Sequence, residues 1–161
     1  MARPRGGGGA EPELRIGLVT GAPKATIGGA GQGEIAAIVD GNPVFRLPAG
    51  EVATVRPEGL GIVIEAGTKR WRQERVTFVN LVDDRFVSVN GRPYRGVADV
   101  YQRGGALYVV NRLAVDAYLQ GVVSAEMGRR GPDELAALAA QAIVSRTYAI
   151  ANRGRFGSQG Y

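Results

Sequence analysis

Glycine and proline interrupt the stretch 1–67 so often that no helix of ordinary length fits between them. The chain holds 25 glycines and 8 prolines in 161 residues. Such punctuation favours many turns and short extended runs over long helices. The run 14–20 (LRIGLVT) alternates apolar and polar in the manner of a strand. Further short runs follow at Glu34–Val39, Val44–Leu47, Val52–Val55, Gly59–Glu65, Val76–Val82 and Phe86–Val89. A spacing of roughly 8–12 residues between runs reads as a meandering β-rich region. Asn90-Gly91 is the strongest hairpin signal, because both residues tolerate the positive φ of a tight turn. It is expected to join Arg85–Val89 to Tyr94–Tyr101, with Gly104-Gly105 turning again into the run 107–110.

At Asn111 the apolar period changes from two to about 3.6. Leu113, Ala117, Tyr118, Gly121 and Val122 share one helical face, with Asn111 a candidate cap, so a helix is expected over about 113–124. A second is expected over about 132–152. Pro132, Asp133 and Glu134 open it, and Leu135, Leu138, Ala142, Ser145, Arg146 and Ala149 form its stripe. The fold class is therefore α+β: a β-rich first two-thirds, then two helices. Residues 1–13, made of glycine, proline and charge, read as a disordered tail or linker ahead of a domain over 14–161.

Cysteine and histidine are both absent. That excludes disulfides, Cys–His and Ser-His-Asp catalysis, and ordinary zinc or iron–sulfur sites. No metal site and no cofactor are expected. Any catalysis must rest on carboxylates, hydroxyls, lysine or arginine. The formal charge is +5, and all but two of the 20 basic residues are arginine. These are scattered without a dense block or a nucleic-acid motif, so no nucleic-acid partner is expected. No run approaches the ~20 apolar residues of a spanning helix. Met1 to Ala10 has basic residues without an apolar run behind them, which is not a signal peptide.

Local chemistry offers few candidates. The stretch 28–33 (GGAGQG) lacks the Lys-Ser/Thr of a phosphate loop and reads as a turn between strands. Asp83-Asp84 reads as a solvated pair in a turn. Glu126 sits where an apolar helix gives way to glycine, among Val122, Val123, Ala125 and Met127. Partial desolvation there would suit a general acid, whereas Arg129 and Arg130 would oppose it. An exposed helix-end glutamate fits the composition as well. Gln141 and Arg146 are polar residues in an Ala/Leu-rich segment, and a solvated face explains them equally.

Three ordered blocks add to this reading: 90–96 (NGRPYRG), 107–127 (LYVVNRLAVDAYLQGVVSAEM) and 139–152 (AAQAIVSRTYAIAN). Together they resemble the signature of the SpoIID/LytB family of cell-wall proteins, with residues 14–89 fitting its layout more loosely. The resemblance implies a lytic transglycosylase of the cell envelope. Such an enzyme cleaves peptidoglycan glycan between N-acetylmuramic acid and N-acetylglucosamine and leaves 1,6-anhydro ends. It implies Glu126 as the acid/base and an extracytoplasmic location. Gln141 and Arg146 would then line the cleft, holding sugar hydroxyls or the lactyl carboxylate, or would pack the two helices. Tyr118 and Tyr148 are expected in the core, and Tyr94 and Arg95 as structural. Some relatives are instead described as amidase enhancers, so the alternative is a non-catalytic peptidoglycan binder that stimulates a cell-wall amidase. Two positions depart from the family pattern: Ala139 stands where lysine is frequent, leaving its role to Arg129 or Arg130, and Asp116 replaces the usual glutamate. The resemblance also implies that the chain is the front portion of the domain. The Cys/His metal site of some members would lie beyond it.

Overall fold

The computed structural model describes residues 11–31, 33–82, 86–127, 134–155 and 157. The strands are β1 (Glu13–Ala22), β2 (Ala25–Ala30), β3 (Ile35–Val39), β4 (Asn42–Leu47), β5 (Val52–Glu58) and β6 (Gly61–Ala66). They continue as β7 (Lys69–Gln73), β8 (Arg75–Asn80), β9 (Phe86–Val89), β10 (Arg92–Tyr94), β11 (Val97–Arg103) and β12 (Ala106–Ala114). Two helices follow, α1 (Val115–Met127) and α2 (Leu135–Ala151). The α+β class read from the sequence is the observed one.

The strands form two six-stranded antiparallel sheets, in the orders β1-β12-β11-β8-β3-β4 and β10-β9-β2-β5-β6-β7. One apolar core joins them: Phe78, Ile35 and Val100 from the first sheet meet Ile27, Ile62 and Val87 from the second, all essentially inaccessible. Phe45 stacks on Trp71 with ring centroids 4.0 Å apart and meets the Phe78 edge at 6.1 Å.

Several readings of the strands and of the first helix need correction. The stretch 28–33 is not simply a turn: Gly28, Gly29 and Ala30 complete β2, which pairs with β5 and β9. β7, charged along most of its length, has no counterpart in the sequence reading; it closes the sheet edge beside β6. The run Tyr94–Tyr101 is two strands in different sheets, since β10 pairs with β9 whereas β11 pairs with β12 and β8. And α1 starts at Val115, not 113, because β12 stays extended while β1 is there to pair with it, as far as Glu13 opposite Ala114.

The split at Arg95-Gly96 explains much of the motif 90–96. Asn90 and Gly91 take φ of 50° and 77°, the conformation of a tight hairpin turn joining β9 to β10. Gly96, at φ 82°, then passes the chain to the other sheet so close to β12 that a Cβ would stand 2.4 Å from the Arg112 carbonyl oxygen. Asn111 locks this corner. It is not a helix cap but a buried strand residue, whose Nδ2 donates to the Arg95 and Val97 carbonyls at 2.8 and 3.0 Å. Arg95 extends its guanidinium over the Phe86 ring, 4.7 Å from the centroid.

Glu11, Pro12 and Glu13, read from the sequence together with the tail, take part in the fold. β1 opens at Glu13, and the two residues before it serve the first helix. The Val115 amide donates to the Pro12 carbonyl at 3.0 Å, and the Asp116 amide to the Glu11 carboxylate at 2.6 Å. Two of the amides that a helix start leaves without intrahelical partners are thereby satisfied by the opposite end of the domain.

Candidate functional site

α1 and α2 form an antiparallel hairpin seated on the β1–β12 end of the first sheet. Leu14 and Leu113, opposite each other in the ladder, bury with Val115 and Ala149, and Ile16, Ala117, Tyr118 and Leu119 pack around them. On α2, Ser145 and Ala149 are buried and Leu138, Ala142 and Arg146 half-buried, so the expected stripe faces α1. Leu135 departs from that stripe at 66% exposed.

The hairpin brings Glu126 and Gln141 together. Gln141, half-buried, donates through Nε2 to Glu126 Oε2 and lies 3.4 Å from the Ser145 hydroxyl. Glu126 itself is exposed, so the desolvation expected from its apolar neighbours is not what surrounds it. One carboxylate oxygen is held by the amide. The arrangement can therefore present an oriented carboxyl group to a molecule lying across the hairpin.

Arg146 does not join that pair. Its Nη1 is 2.5 Å from the Asp116 carboxylate, an ion pair toward the other end of the hairpin. Asp116 thus fastens α2 to the start of α1. Arg129, Arg130, Pro132 and Asp133 lie outside the described residues, as do Asp83 and Asp84. Among the described residues no cluster of acidic side chains is arranged to hold a metal ion, and no helix is long and apolar enough to cross a membrane.

Of the two tyrosines assigned to the core, Tyr118 packs at the edge of the cluster beneath the helices, whereas Tyr148 does not join it. Tyr148 is 63% exposed and Tyr118 half-buried, and both line a cleft of about 640 Å³ between α2 and the β1–β12 end. The Tyr118 phenol is pushed above its ordinary value, first by burial and then by the negative charge of Glu126 and by Tyr148. A sequence signal existed: two helical turns separate Gln141 from Tyr148, placing them on one face of α2.

The fold and site define an α+β protein with a glutamate–glutamine pair mounted on a helical hairpin. Residues 103–161, which hold both helices and the pair, match SpoIID, the family described as Stage II sporulation protein. No curated protein and no solved structure matches the chain.

Proposed function

We propose that the protein is a peptidoglycan lytic transglycosylase acting outside the cytoplasm, with Glu126 as its single acid/base. The observation that carries this reading is the Gln141 amide holding the Glu126 carboxylate within the SpoIID-matching segment. Hydrolytic glycosidases need two carboxyl groups, one to protonate the leaving oxygen and one to activate water or attack the sugar. An intramolecular transfer needs one used twice. Glu126, protonated, gives its proton to the glycosidic oxygen as the C–O bond breaks. As carboxylate it then accepts the proton of the muramic acid 6-hydroxyl, whose oxygen closes on the anomeric carbon to form the 1,6-anhydro ring. No water is consumed, and the carboxyl group ends protonated as it began.

Gln141 suits a partner that changes protonation state. Its NH₂ donates to the carboxylate, and its carbonyl, after rotation of the amide, accepts from the acid. Arg146, held by Asp116, keeps α2 in register with α1 so that Gln141 meets Glu126. A second reading, the non-catalytic amidase enhancer, draws on the exposure of Glu126 and the basic charge of the chain. Incubation with peptide-free glycan strands followed by mass spectrometry separates the two. Anhydromuramic ends that disappear in Glu126→Gln support the transglycosylase. Intact strands, with stimulation of a cell-wall amidase that survives the substitution, support the enhancer.

A further inference from the structure

Among the described residues two polar side chains are buried, Asn111 and Ser145. A buried polar group needs a partner, because an unmet one keeps its full desolvation penalty. Asn111 has its partners in the corner between the sheets. Ser145, 8% exposed, lies on the stripe of α2 that faces α1. The ordinary outlet for a helical hydroxyl is the carbonyl one turn back. Ser124 on α1 and Thr147 on α2 take it, donating to the Gln120 and Ile143 carbonyls at 2.8 Å each. Among the described residues Ser145 makes no such bond. Its oxygen accepts instead from the Gln141 side chain, whose Nε2 lies 3.4 Å away, one turn back on the same face.

That same nitrogen donates to Glu126. An amide NH₂ has two hydrogens, and here each has an acceptor of its own: the exposed Glu126 carboxylate and the buried Ser145 hydroxyl. A hydroxyl is donor and acceptor at once, which suits a site where the neighbouring acid changes protonation state. While Glu126 is ionised, or carries its proton on the oxygen turned away from Gln141, the NH₂ gives to both partners. With the proton on the oxygen facing Gln141, the amide turns over and its carbonyl oxygen replaces the nitrogen. One lone pair then accepts from the acid and the other from the Ser145 hydroxyl. Neither state leaves this end of the amide unmet. An apolar side chain at 145 would serve neither.

We propose that Ser145 is a positioning residue, a two-way anchor that holds Gln141 against Glu126 in both protonation states of the reaction. The proposal rests on the transglycosylase reading for that reaction and goes beyond it in giving a role to a residue that acts only through Gln141. The carboxyl group itself stands exposed on a lightly packed hairpin. Its orientation therefore depends on how firmly the amide is held, and the buried end of that hold is Ser145.

Ser145→Ala in the full chain tests it, because alanine fits the space and favours the helix. On peptide-free glycan strands the variant should release anhydro ends with kcat lowered about threefold to tenfold, KM unchanged and the melting temperature not lowered. Gln141→Ala should cost at least as much. Ser145→Ala added to it should cost nothing more, since the anchor then has nothing to hold. Hydrogen exchange at the Gln141 side-chain amide, followed by NMR without glycan, gives a readout independent of turnover. One of its two hydrogens should exchange about threefold to tenfold faster in Ser145→Ala. A wild-type kcat in Ser145→Ala, or a loss that adds in full to that of Gln141→Ala, overturns the anchor and leaves cleavage at Glu126 standing. Unchanged exchange at Gln141 overturns it as well. A wild type that yields no anhydro ends, with Gln141 exchange still quickened by Ser145→Ala, removes the transglycosylase reading and upholds the anchoring of the pair.

Discussion

The two-sheet body and the helical hairpin are held by very different amounts of buried surface. Among the described residues, nineteen buried apolar side chains form the core between the sheets, whereas four form the cluster beneath the helices. α2 leaves Leu135, Ile143, Val144, Tyr148 and Ile150 exposed, and of its residues only Ser145 and Ala149 are buried. Local opening costs least where few apolar contacts must be broken. The molecule thus separates two regions: the sheets store the stability, and the hairpin holds the Glu126–Gln141 pair on a lightly held support.

Five substitutions break or sharpen that contrast. The largest effect is expected for Glu126→Gln, which should lower anhydro-product formation by about 10²–10⁴-fold and leave the melting temperature unaltered. Phe78→Ala, in the fully buried core, should cost about 3–5 kcal/mol in chemical denaturation and weaken the hairpin with the body. Asn111→Ala leaves the Arg95 and Val97 carbonyls without their donor and should cost about 1–3 kcal/mol; because this corner lies just before α1, both regions should unfold earlier. Glu11→Ala removes a carboxylate from the α1 start and should cost about 1 kcal/mol, read as faster amide exchange in the first turn of α1 with the sheets unchanged.

The smallest effect belongs to Tyr118→Phe, which should be silent at neutral pH. Folding raises the phenol pKa, so the folded chain favours the neutral form. Its stabilising contribution is complete below the ordinary value near 10.0 and is lost as the pH climbs through the raised value. Denaturation at increasing alkaline pH should show that loss in the wild type and a flatter profile in the variant. Spectrophotometric titration of Tyr118 in Glu126→Gln should show a smaller elevation, because the carboxylate charge is one of its causes.

The β-rich plan was legible because turns announce themselves: Asn90-Gly91 and Gly104-Gly105 all adopt positive φ in the structure. β2 was not, since its glycines look like loop residues. They serve close backbone approach instead, and a Cβ on Gly29 would fall 2.0 Å from the Gly33 carbonyl oxygen. β7 escaped notice because an edge strand carries charge outward, and its Trp71 alone signals the inner face. The start of α1 was misplaced because pairing with β1, a partner a hundred residues away in sequence, overrides the local period. Glu126 and Gln141 were legible through the motif. The tyrosine cleft was not, because it is assembled from strands and helices that only the tertiary fold brings together.

The pairing of β1 has a consequence in time. It lies at a sheet edge with β12 as its sole neighbour there, and Glu13 meets Arg112 across 99 residues of sequence. A chain emerging from the ribosome makes this strand long before its partner. β2 through β11 can pair while β1 waits, and Glu11 reaches Asp116, 105 residues on, only after that ladder has closed. β1 is thus among the last strands to be placed, and the helix bearing Glu126 receives its proper start in that same closing step.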